Sequence, residues 1–86
     1  MDKLQRKVLI GRITVVQEER IRFVTDDGRG FLFTLARDFN LTDEEIRKLS
    51  QAHSRLCLEY SGTPNTVSGL AHEIQNLKVG SKNQRI

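Results

Sequence analysis

The sequence predicts a mostly-β fold, a small five-stranded antiparallel barrel with one helix between strands three and four. Three observations predict it. Thr42 followed by Glu45 marks the start of a single helix. Three strand-like segments precede that helix and two follow it. The 86 residues contain no linker, internal repeat or low-complexity tract, so they read as one domain, 1–78, with a polar tail at 79–86 that has nothing to bury and is expected to be disordered.

Strand one is expected over Lys7–Val16. Leu9, Gly11, Ile13 and Val15 share one face, while Arg12 and Thr14 lie on the other with Val8, Ile10 and Val16. Gly11 inside a strand marks a bend or bulge, the device by which a long first strand curls to close a small barrel. Gln17, Glu18 and Glu19 form a polar turn. Strand two, Arg20–Thr25, alternates cleanly, with Ile21 and Phe23 on one face and Arg20 and Arg22 on the other.

The turn Asp26-Asp27-Gly28 decides the register of strand three. A two-residue Asp-Gly turn pairs Phe23 with Leu32. A three-residue loop with a left-handed Gly28 pairs Phe23 with Phe31 and Ile21 with Phe33. The second register gathers Phe31, Phe33 and Leu35 on the face of Ile21 and Phe23, and a slip of one residue moves them all to the other side. Strand three therefore spans Arg29–Leu35 in the three-residue-loop register.

The helix is expected over Asp43–Gln51. Thr42 is its N-cap, and Glu45 reaches back to the Thr42 backbone N–H to complete a capping box. Leu41 and Ile46 form a hydrophobic staple, and Asp43, Glu44 and Glu45 place negative charge at the positive end of the helix dipole. Ile46 and Leu49 face inward, with Phe39 and Leu41 at the entry. Strand four is Arg55–Tyr60, with Leu56, Leu58 and Tyr60 inside. The turn residues Ser61–Thr66 lead to strand five, Ser68–Asn76, where Leu70, His72 and Ile74 share a face and Ala71 and Leu77 do not. That broken alternation predicts a bulge at an unassigned position.

This order of elements resembles the OB fold, which implies that the helix closes one end of the barrel; the alternative architecture is an SH3-like barrel with a helical insertion. The Gly11, Ile13, Val15 opening resembles the ribosomal and cold-shock RNA-binding members. Gly28-Arg29-Gly30-Phe31-Leu32-Phe33 is similar to the Gly-Lys-Gly-Phe-Gly-Phe run of cold-shock domains, although that run lies on an earlier strand there and has glycine at the position of Leu32. The chain also resembles short bacterial proteins of this barrel type, a resemblance that implies no activity.

Composition narrows the function classes. No apolar run approaches the ~20 residues of a membrane span, and the N-terminal residues do not read as a signal peptide. Cys57 is the only cysteine, which rules out an internal disulfide and makes a reducing cytoplasm the expected location. Net charge is +3 and the pI is about 9.4. Much of the excess sits near the ends, at Lys3, Arg6, Lys7, Lys78, Lys82 and Arg85, so charge alone does not specify a nucleic-acid partner.

His53, Cys57 and His72 lack the short paired spacing of a metal site. Cys57 has no assignable base, Asp26 and Asp27 are turn residues, and no phosphate loop or catalytic triad pattern is present. No cofactor and no enzyme activity are expected. Phe31 and Phe33 would make a stacking platform for bases if they faced outward, but the register assigns them to the core. The better candidate is the outer face of strands one to three, carrying Arg12, Thr14, Arg20, Arg22, Leu32 and Thr34. Its arginines either contact phosphates and bases or pair with Glu18, Glu19 or Glu59. The loop Gly62–Val67 offers Thr63 and Asn65 for hydrogen bonds to a ligand, although a proline-containing loop needs none. The expected function is a non-enzymatic module binding RNA or single-stranded DNA. The alternative is a protein-interaction module or homodimer using Leu32, Val24 and a free sheet edge.

Overall fold

A computed structural model of the protein describes residues 6–77. The expected tail at 79–86 lies outside the described residues. The elements are β1 (Lys7–Gln17), β2 (Arg20–Thr25), β3 (Gly30–Leu35), α1 (Asp43–Gln51), β4 (Leu56–Ser61) and β5 (Leu70–Asn76). They close a barrel in the order β1-β2-β3-β5-β4, the arrangement expected of an OB-like fold. The sheet is mixed, not antiparallel throughout. β3 and β5 run parallel, because the intervening helix and β4 return the chain to the same end before β5 begins.

The β2–β3 loop is the three-residue one. Phe23 pairs with Phe31 and Ile21 with Phe33, and Gly28 is left-handed at φ +90°. Thr25 organises the turn. Its carbonyl accepts the Gly28 N–H at 2.8 Å, its hydroxyl accepts the Arg29 N–H at 3.2 Å, and that hydroxyl also donates to Asp27. The neighbouring Asp26 accepts from Arg55 Nε at 3.0 Å, which fastens this hairpin to the start of β4.

β1 is shared between two neighbours. Lys7–Gly11 pairs with β4 and Gly11–Gln17 with β2. At Gly11 the strands come so close that a side-chain carbon would overlap the Val24 carbonyl and lie 2.6 Å from Thr25 Cα. The bulge itself is three residues further on, between Ile13 and Val15. It leaves Thr14 unopposed and reverses the alternation. Ile13 and Val16 therefore both turn inward, and Val15, expected inside, is 42 % exposed. The Ile13 carbonyl accepts the Ser50 hydroxyl at 3.2 Å, which ties α1 to β1.

Ile13, Ile21, Phe23, Phe33, Ile46, Leu56, Leu58, Tyr60, Ala71 and Ile74 form the core, with Phe33 and Tyr60 rings 5.0 Å apart. Phe31, assigned to the core by its register, packs against it half-buried at the rim and carries the Arg29 guanidinium 5.9 Å from its ring centroid. The helix contributes Ile46, and its capping box is complete in both directions, at 3.1 and 2.9 Å. The bulge in β5 falls at His72: Glu59 pairs with Glu73 and Tyr60 with Ala71, so Ala71 and Ile74 both reach the core.

Parallel pairing between β3 and β5 is short, Thr34 with Leu70 and Leu35 with Ala71. Two asparagines extend the seam in opposite directions. The Asn40 side-chain amide donates to the Ile74 carbonyl at 3.1 Å and accepts its N–H at 3.0 Å. Asn65 accepts the Leu32 N–H on Oδ1 at 2.8 Å, and its own N–H donates to the Leu32 carbonyl at 2.9 Å. The free sheet edge expected for an interaction module is thus occupied at Leu32 and Ile74. Among the described residues no helix is long and apolar enough to cross a membrane.

Candidate functional site

The outer face of β1–β3 exists because its alternate residues are drawn into the core. Ile21 and Phe23 are 1 % and 0 % exposed, which forces Arg20 and Arg22 outward on β2. Across the strands, Arg20 lies opposite Thr34, Arg22 opposite Leu32, and Arg12 opposite Val24. The bulge at Thr14 brings Val15 opposite Arg22, so Val15, Arg22 and Leu32 form one row. Thr14 sits beside that row. Its hydroxyl accepts from Arg22 Nη1 and donates to the Arg22 carbonyl, each at 3.4 Å. The Arg22 guanidinium lies across Gly30, where a side-chain carbon would meet Cζ at 2.8 Å.

All six expected residues therefore occupy the outer face, and five gather around Arg22 and Arg20. Arg12 stands one row apart. Arg20, Leu32, Phe33 and Thr34 form one wall of a groove of about 240 Å³, and Asn65, Thr66 and Val67 form the other. Leu32 and Val67 present apolar surface at 48 % and 88 % exposure. The far wall is held in place by local bonds. Asn65 is left-handed at φ +69° and is anchored to Leu32, while Thr66 donates to the Thr63 carbonyl at 2.6 Å and Ser68 Oγ accepts the Thr63 N–H at 3.1 Å. Asn65 thus has a structural use for the side chain that sequence offered to a ligand.

Charge distribution favours an anion on this face. Among the described residues Arg12, Arg20 and Arg22 form no ion pair, whereas Glu59 pairs with Arg6, Asp26 with Arg55 and Asp27 with Arg29. The pairing with Glu18, Glu19 or Glu59 weighed from sequence is not formed. Glu18 and Glu19 instead line a shallow depression beside Arg20, where they bound the basic surface at the β1–β2 turn. The stacking platform is absent from this face. Phe33 is 1 % exposed, and Phe31 is capped by Arg29.

A second cluster was not legible in the sequence. Ser61 Oγ lies 2.7 Å from His72 Nε2, and His72 Nδ1 lies 3.2 Å from Asp38 Oδ1. These are the contacts of a serine-nucleophile relay. Ser61 is 2 % and His72 8 % exposed, so an acyl group has no approach to the hydroxyl. The cluster works as a polar tie between β4, β5 and the β3–α1 connection. Hydrogen bonding from His72, aided by its charge and by Arg6, holds the Asp38 carboxyl below the usual carboxylate range. The broken alternation around His72 was the one signal of it in the sequence. Among the described residues no three His, Cys, Asp or Glu side chains group to hold a metal ion.

Comparison with protein-family models, with curated proteins and with solved structures finds no match to this chain. The closed five-stranded barrel and its strand order are compatible with an OB-like fold, and none of these comparisons supports the cold-shock or ribosomal resemblance.

Proposed function

We propose that the protein is a non-enzymatic module that binds single-stranded nucleic acid, RNA or DNA, on the outer face of β1–β3. The observation that carries this reading is the set of three arginines without acidic partners among the described residues, beside a groove with apolar lips at Leu32 and Val67. Guanidinium groups suit phosphate by charge and by forked donor geometry. Leu32 and Val67 offer apolar surface to a base, and Thr34 offers a hydroxyl. The strand two and three face with the loop between strands four and five is also where OB folds hold oligonucleotides.

The test is fluorescence titration with a mixed-sequence oligonucleotide at two salt concentrations. Three phosphate contacts on a single strand give a log–log salt slope of about −2, at ~0.7 per contact. A second reading, a homodimer or protein-interaction module, draws on the exposed Val8 and Ile10 on the outer side of β1, at 55 % and 38 %. Absence of oligonucleotide binding at low salt, with a dimer in sedimentation, replaces the first reading by the second.

A further inference from the structure

The Ser61–His72–Asp38 chain joins three segments that are distant in sequence, and one of them leads into the groove wall. Ser61 ends β4, and Gly62 opens the loop that carries Asn65, Thr66 and Val67. Gly62 is left-handed at φ +76°, with the Ser68 carbonyl group packed where a side chain would sit. At the other end Asp38 Oδ2 accepts from Arg6 at 3.4 Å, and Arg6 also reaches Glu59 at 3.2 Å. Glu73, next to His72 on β5, bonds to Gln75 instead.

The partners fix the proton positions. A carboxylate only accepts, so Nδ1 carries the hydrogen toward Asp38, and the Nε2 of a neutral ring accepts from the Ser61 hydroxyl. A second ring proton makes Nε2 a donor. The Ser61 oxygen must then accept, and its hydrogen is displaced into surroundings only 2 % exposed. The compensating attraction between imidazolium and Asp38 acts on a carboxylate that is 61 % exposed, where water and salt screen it.

We infer that His72 is a positioning residue of the groove. Its neutral form holds Ser61 and the start of the β4–β5 loop, and a proton gained at Nε2 loosens that loop. This rests on the groove being the binding surface. Acidification adds positive charge to the protein, which by itself strengthens binding to a polyanion. Release of the groove wall acts in the opposite direction.

The experiment pairs two measurements, each made at a mildly acidic and at a mildly alkaline pH. One is the affinity for a mixed-sequence oligonucleotide. The other is the hydrogen-exchange protection of the Leu32 and Asn65 amides in the free protein, normalised to the intrinsic rate at each pH. Acidification lowers the wild-type affinity by about 5-fold or more and lowers both protection factors. Ser61→Ala, which has no hydroxyl hydrogen to displace, and His72→Gln, neutral throughout, lose both responses. His53→Gln keeps them. Protection that ignores pH, or that falls equally in Ser61→Ala, overturns the inference. Should His72→Gln fail to fold, Ser61→Ala decides alone. Protection that falls on acidification while no oligonucleotide binds at any pH upholds the His72 control of the loop and removes only the nucleic-acid reading.

Discussion

The side-chain amide of Asn40 pairs with the backbone of Ile74 as a neighbouring strand does, donating to its carbonyl at 3.1 Å and accepting its N–H at 3.0 Å. Asn40→Ala leaves both groups without a partner at a half-buried position. The expected cost is about 1–3 kcal/mol, read from urea denaturation. An unchanged midpoint would mean that water replaces the amide fully.

Thr42→Ala removes the helix cap and is expected to cost about 0.5–2 kcal/mol. Glu45→Ala costs less, because its carboxylate serves one exposed N–H at 2.9 Å. The order of the two denaturation midpoints checks the assignment.

Phe33→Ala is expected to cost about 3–5 kcal/mol, enough to threaten folding in a domain of this size. Phe31→Ala costs less. Its ring is half-buried at the core rim and shares one side with Arg29. Equal destabilisation of the two variants would place Phe31 deeper than the barrel has it.

Replacing Arg12 and Arg22 together with Ala leaves stability within about 1 kcal/mol, since exposed charges contribute little. Oligonucleotide binding weakens, and the salt slope flattens by about 0.7 for each phosphate that an arginine no longer neutralises. A slope equal to that of the wild type would exclude both side chains from the interface.

Acid stability tests Asp38. Its carboxyl is held below the ordinary range in the folded state, first by the hydrogen bond with His72. The folded protein therefore stays ionised at a pH where the unfolded chain takes up a proton. This stabilisation is present above about pH 4, the unfolded carboxylate value, and is lost as pH falls through the lower folded value. Asp38→Asn flattens that acid limb. Thermal melts across the range distinguish the two, and parallel curves would assign the effect to other carboxylates.

Much of the barrel was legible because local chemistry and period-2 burial agreed. Thr42 and Glu45 located the helix at Asp43–Gln51, and the placement of Phe31, Phe33 and Leu35 selected the three-residue turn at Gly28. The broken alternation of strand five announced a bulge, but the positions of the bulges were not legible. At Thr14 and His72 one extra residue reverses the alternation, and nothing local says which residue is extra. Val15 was misjudged because it lies past a bulge, whereas Phe31 packs against the core as the register required, at its rim. The arginine face followed from alternation alone. The groove did not, because its second wall comes from residues 65–67, held on β3 by a side-chain bond that mimics strand pairing. The Ser61, His72 and Asp38 cluster is set by the β4–β5 register and a loop contact, which no spacing encodes.

The first strand is hydrogen-bonded on both sides, to β2 through Gly11–Gln17 and to β4 through Lys7–Gly11. During synthesis the partner from β2 arrives within a few residues, whereas the partner for Lys7 is Tyr60. The opening of β1 must wait for most of the chain to be made. A nascent hairpin of β1 and β2 exposes Leu9, Ile13, Ile21 and Phe23 until β4 and β5 arrive to cover them. Closure is therefore a late, long-range event, of the kind that slows folding and exposes the growing chain to chaperones and to aggregation.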